Sequence, residues 1–215
     1  MEIYLTEEER VEALKKWWKE NARAMIVGIA LGIAVIAGWN AWKSAQQLKA
    51  EEASTLYQQL LKAVEAKQAE PAAKLGERLT EKYPGTTYST YARLFLAKIK
   101  AESGDLAAAR TSLEGLIASV KDENLKNLAR LRLGRILLAS GDNEVALKLI
   151  ESLPRETMGP FASMFEELKG DLYVALGRPR DARLAYEKAK QGGATTPLLE
   201  LKINDLTDVT ASPAS

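Results

Sequence analysis

Any chemistry in this 215-residue chain must be done without histidine and without cysteine. Their absence removes the commonest general base, the commonest metal ligand, thiolate nucleophiles and disulfides. A metal site would have to be built from carboxylates alone, and the acids are scattered at helical spacing. Asp142-Asn143-Glu144 follows a turn glycine and reads as a helix start, where acids complement the helix dipole. Ser and Lys are plentiful, but no nucleophile motif surrounds them and no glycine loop is built to cradle a phosphate. The expectation is therefore no catalytic residue, no cofactor, no metal and no enzyme. With 30 Lys+Arg against 29 Asp+Glu, no large basic field exists to replace phosphate counterions, so no nucleic-acid partner is expected.

What remains is recognition by a surface, and a surface needs elements to position it. The chain repeats itself. Turn signals Ser103-Gly104-Asp105, Ser140-Gly141-Asp142 and Leu176-Gly177-Arg178 place glycines 37 and 36 residues apart. Seven residues before each glycine stands a small residue: Ala97, Gly134, Gly170. Five after it stands alanine: Ala109, Ala146, Ala182. Nine after it stands a larger residue: Leu113, Ile150, Tyr186. A period near 35 in an all-helical pattern implies stacked helix pairs. The small residue and the alanine let two axes approach, the glycine takes the left-handed turn, and the large residue fills the gap to the next pair. The pattern resembles the tetratricopeptide repeat, with a slightly long period. Pro84 fits where a repeat closes, so Ala53–Pro84 reads as a divergent first repeat with Ala72 as its packing alanine. A last helix near Pro197–Leu206 would be a cap.

Such stacks present a concave face built mainly from the first helix of each pair. By the repeat count, that face includes Tyr91, Leu94, Lys98, Leu131, Arg135, Leu138, Glu167, Asp171 and Val174. Apolar groups mixed with both signs of charge would suit an extended or helical segment of another protein. The competing reading is that these are ordinary solvated and packing residues.

Upstream, Ala24–Trp42 holds nineteen residues without a charge. As a helix it would extend roughly 28 Å, close to the thickness of a bilayer's hydrocarbon core. Trp17 and Trp18 precede it, and Trp39 and Trp42 close it, as interfacial rings would. A buried core helix rarely needs so long an uncharged run with Trp at both ends. A cleaved signal would need a small-x-small site where Trp39 and Trp42 stand. An uncleaved transmembrane helix is expected. Five basic residues (Arg10, Lys15, Lys16, Lys19, Arg23) lie in the nineteen residues before it, against Lys43 and Lys49 in the nineteen after. That bias puts the N-terminus in the cytoplasm and the rest outside. Gly28 and Gly32 form a GxxxG pair that could contact another membrane helix, though glycine is common in such spans anyway. Thr6 and Glu9 read as a capping box opening a helix before the span. With no Pro or Gly from Lys43 to Glu70, the span is expected to run on into a helix bearing Leu56, Leu60, Leu61 and Val64.

The resulting expectation is an all-α chain: a single N-terminal transmembrane helix followed by a tetratricopeptide-like α-solenoid. Its parts are residues 1–23 (cytoplasmic), 24–42 (transmembrane), 43–206 (periplasmic repeat domain) and 207–215 (disordered tail).

Several local sequences, taken in order, give a more specific resemblance. They are Met1-Glu2-Ile3-Tyr4, Val11-Glu12-Ala13, Glu20-Asn21 leading to Gly38-Trp39, and Asp122-Glu123-Asn124-Leu125-Lys126. Thr196-Pro197 and Leu201-Lys202-Ile203-Asn204-Asp205-Leu206 complete the set. On these the chain is similar to the YfgM-like family, ancillary subunits of the bacterial SecYEG translocon. The resemblance implies a single-pass inner-membrane protein with a periplasmic repeat domain, associated with the translocon and with the periplasmic chaperone PpiD. The implied role is assisting hand-over of secreted client proteins, with membrane lipid around the anchor. A scaffold of another cell-envelope assembly is the alternative. The family brings no catalytic residue.

Overall fold

The computed structural model describes residues 7–211, with side-chain surroundings from 7 to 206. The expected capping residue Thr6, the Met1–Tyr4 sequence and the end of the tail lie outside the described residues. The described chain is helical, without strands, as the sequence pattern requires. It divides after Glu52 into two compact units.

The first unit is carried by α1 (Glu7–Glu65), a single helix with Glu7, Glu8 and Glu9 in its first turn. Acids there complement the positive end of the helix dipole. The stretch from Ala24 to Trp42 contains no buried residue. Ile26, Ile29, Ile33, Val35 and Ile36 all stand in the open, a burden that water does not tolerate but a bilayer does. Trp39 and Trp42 lie together, ring centroids 5.2 Å apart. Gly28 and Gly32 face open space, where an added Cβ would meet nothing.

The second unit, from Ala53 on, is a stack of helical hairpins. The last turns of α1 share a core with α2 (Ala69–Lys82): Leu56, Leu60 and Ala63 meet Ala72 and Leu79. Then α3 (Thr87–Glu102) pairs with α4 (Leu106–Ser119), α5 (Glu123–Ala139) with α6 (Asn143–Glu151), and α8 (Ala162–Ala175) with α9 (Pro179–Gln191). Between α6 and α8 lie the short α7 (Arg155–Met158) and a 3₁₀ turn at Gly159–Phe161. Side-chain caps start several of these helices. Thr86 accepts from the Ser89 N–H at 3.1 Å, Asp105 from Ala108 at 3.0 Å, and Asp122 from Leu125 at 2.8 Å.

The repeated positions behave as their sizes demand. Ala97, Ala109, Ala146 and Ala182 are buried, as are Leu113, Ile150 and Tyr186. A Cβ on Gly134 would stand 2.7 Å from Leu168 Cδ2, and one on Gly170 would overlap the Tyr186 ring. Each hairpin turn runs through a positive φ: 86° at Gly104, 81° at Gly141 and 69° at Gly177.

The first hairpin obeys the same geometry with different residues. Its turn passes through Lys67 at φ 55°, five residues before the buried Ala72. Leu60 occupies the position that is small elsewhere, and Gly76 the position that is large elsewhere. The bulk that Gly76 lacks is supplied by Leu96 from the next hairpin, whose side chain would crowd a Cβ at 2.9 Å. Finally α10 (Pro197–Ala211) packs on α9, with Leu199, Leu206 and Ile203 against Tyr186 and Ala189. It runs past residue 206, where the tail was expected to begin.

Candidate protein-binding site

The first helices of successive pairs, α3, α5 and α8, carry the expected groove residues at repeating positions. One register holds Leu94, Leu131 and Glu167; the next holds Lys98, Arg135 and Asp171. The two registers differ in fate.

Leu94 and Leu131 are corrected. They are 4% and 1% exposed and sit inside the main core with Leu113, Leu133 and Phe165. The core that α3 and α5 share with α4 encloses both, and the Arg132 guanidinium of α5 donates to the Leu94 carbonyl on α3 at 3.0 Å. Leu138 is half-buried against the same core, whereas Val174 is exposed. Tyr91 is half-buried in an aromatic group around Tyr57. The Tyr57 centroid lies 5.9 Å from Tyr91, 5.6 Å from Tyr88 and 6.3 Å from Phe95. Burial, then the neighbouring Tyr91, push the Tyr57 hydroxyl above the usual phenol range.

Glu167 and Asp171 come together, but they face their own chain. Lys202 of α10 reaches Glu167 at 2.9 Å and Asp171 at 2.7 Å. The Tyr186 hydroxyl donates to Asp171 at 2.8 Å, and the Lys202 ammonium lies 5.5 Å from the Tyr186 ring centroid. Burial and then the bond to Asp171 push Tyr186 far above the ordinary phenol value. For Lys202, burial alone would lower the pKa, but its bonds to Asp171 and Glu167 outweigh that and raise it. The cap thus engages both carboxylates and offsets one of their two charges.

Lys98 and Arg135 are brought together in the open. With Arg132, Ala97, Ala101, Leu113 and Ile136 they line a cavity of about 360 Å³ between α3 and α5. Its floor is aliphatic and its edge cationic. Lys98 is 3.6 Å from Glu102, a loose pair. Neither Arg132 nor Arg135 pairs with a carboxylate among the described residues. Burial, then repulsion from Arg135, hold the Arg132 pKa below the usual guanidinium value.

Sequence reasoning missed Arg132, Lys202 and the ring of Tyr57. Arg132 and Arg135 are three apart on one helix, which puts them on neighbouring turns of the same side, and this spacing was a readable signal. Lys202 carried none, because its partners lie 31 and 35 residues upstream.

The comparisons with known proteins agree with this architecture. Residues 15–208 match the family model of the tetratricopeptide repeat-like domain. The ancillary SecYEG translocon subunit of Escherichia coli (strain K12) is 33% identical over 96% of this chain and 99% of its own length. Its namesake in Haemophilus influenzae is 29% identical over 96% of this chain and all of that protein. Among solved structures, Pseudomonas aeruginosa pilF superimposes with a TM-score of 0.63 at 19% identity, covering 75% of this chain and 70% of that one. MamA from Desulfovibrio magneticus RS-1 does so with a TM-score of 0.59 at 15% identity, covering 75% and 85%. Those two likenesses speak for the fold alone. The chain belongs to the tetratricopeptide repeat-like family that includes the ancillary SecYEG translocon subunits of Escherichia coli and Haemophilus influenzae.

Proposed function

We propose that this protein is a non-enzymatic, membrane-anchored interaction module of the SecYEG translocon. Residues 24–42 cross the inner membrane in contact with lipid, residues 1–23 stay in the cytoplasm, and the repeat domain lies in the periplasm. There it associates with the translocon and with a PpiD-type chaperone, and it assists the hand-over and folding of secreted clients. The observation that carries this reading is the end-to-end relation to the Escherichia coli ancillary subunit, which spans the apolar helix as well as the repeats. The exposed run from Ala24 to Trp42 supports the anchor, and the excess of basic residues before it supports the orientation. Stacked helix pairs are built for gripping other polypeptides, which supports binding over catalysis.

The test is affinity isolation of the full chain from membranes in mild detergent. SecYEG subunits and a PpiD-type chaperone should dominate the captured proteins. Recovery of a different envelope assembly, with translocon subunits no higher than in a mock isolation, would contradict the reading and favour a scaffold elsewhere in the envelope.

A further inference from the structure

The charge along the first helices is sorted by position. At the α8 end, Glu167 and Asp171 share one cation from within the chain, Lys202, which offsets one of their two charges. Between α3 and α5 nothing comparable happens. Lys98, Arg132 and Arg135 converge on one aliphatic cavity of about 360 Å³, and among the described residues the acid paired there is Glu102, at 3.6 Å from Lys98. Arg132 is half-buried and spends one donor on the Leu94 carbonyl, which fixes its head at the cavity wall. A half-buried guanidinium beside a second one is unfavourable unless an anion joins them. A planar guanidinium also offers a fork of donors matched to a carboxylate, as a lysine does not. Ala97, Ala101, Leu113 and Ile136 beneath the cations give an apolar side chain a place to be buried.

We infer that the cavity between α3 and α5 receives an acidic, apolar stretch of a partner polypeptide. One Glu or Asp carboxylate bridges Arg132 and Arg135, a neighbouring aliphatic side chain enters the floor, and Lys98 steers the approach. The inference rests on the interaction role proposed above and adds the chemistry of the segment that is gripped. It also assigns Arg132 and Arg135 unequal parts. Arg132 is a preset donor in the wall, and Arg135, exposed on the rim, closes the bridge to the carboxylate and carries its salt dependence.

The experiment uses the full chain in a neutral detergent and fluorescence anisotropy. The probe is a labelled decapeptide with two glutamates among leucine, valine and glycine; its control carries glutamine at both places. At low salt the glutamate peptide should bind at least tenfold more tightly than the glutamine peptide. Arg135→Gln should erase that preference while Lys188→Gln, an exposed cation on α9, leaves it intact. Arg135 is exposed, so its variant should keep the parent's thermal melt. Arg132→Lys, which retains charge but not the planar fork, should retain only part of the preference. Equal binding of the two peptides would overturn the inference. So would an unchanged preference in Arg135→Gln, or displacement of the peptide by phosphatidylglycerol vesicles as efficient as by unlabelled peptide. Loss of the preference while translocon subunits still co-purify removes this inference alone. Retention of the preference without co-purification upholds the cavity and removes the translocon reading.

Discussion

Gly170 lies against the ring of Tyr186, and no larger residue fits there without moving the ring. Tyr186 is itself held by Asp171, so the ring has little freedom to retreat. Gly170→Ala should therefore destabilise the repeat domain by about 1–3 kcal/mol, the range for an overpacked core, read in denaturant melts. Gly28→Ala, placed where nothing is near, should leave that melt unchanged. A neutral Gly170→Ala would mean that the two helices are not in this close contact. The tight positions were legible because small, alanine and bulky residues recur at fixed offsets from a turn glycine. The first hairpin was only partly legible because it solves the same geometry by substitution. Lys67 takes the left-handed turn that glycine takes elsewhere, and Leu60 and Gly76 exchange sizes. A residue-by-residue template cannot see that exchange, since the fit of Gly76 is made by Leu96 from the neighbouring hairpin.

Among the helices, α10 shows how a stack can end. A hairpin stack leaves an apolar face at its terminus, and α10 covers it with Leu199, Ile203 and Leu206 while Lys202 binds the acids of α8. The Lys202 pKa is raised in the folded chain, so its contribution to stability is complete below the ordinary lysine value near 10.4 and is lost as pH rises through the higher folded value. Lys202→Met should cost about 1–2 kcal/mol at pH 8, a half-buried pair being worth less than a fully buried one. The gap between parent and variant melts should narrow above about pH 10.5. A gap constant from pH 8 to 11.5 would show that Lys202 acts by packing and not by charge. The same ion pairs explain why Glu167 and Asp171 are not free groove residues. Their register was right, but their partner comes from a helix whose docking no local pattern announces. Leu94 and Leu131 failed for a related reason: one helix side serves both the open face and the seam between helices, and only the packing of the shared core separates them.

Taken whole, the chain joins an apolar helix that water would not accept to a repeat domain whose cores close on themselves. The proposed translocon role requires those two units to lie on defined sides of a membrane. The chain has no cysteine, so a single Lys148→Cys on the exposed side of α6 gives a clean reporter in the repeat domain. Spheroplasts carrying this variant are treated with a membrane-impermeant thiol reagent before and after lysis. Full labelling of intact spheroplasts is the outcome expected of a periplasmic repeat domain. Protection until lysis would put the repeats in the cytoplasm and contradict the secretory account.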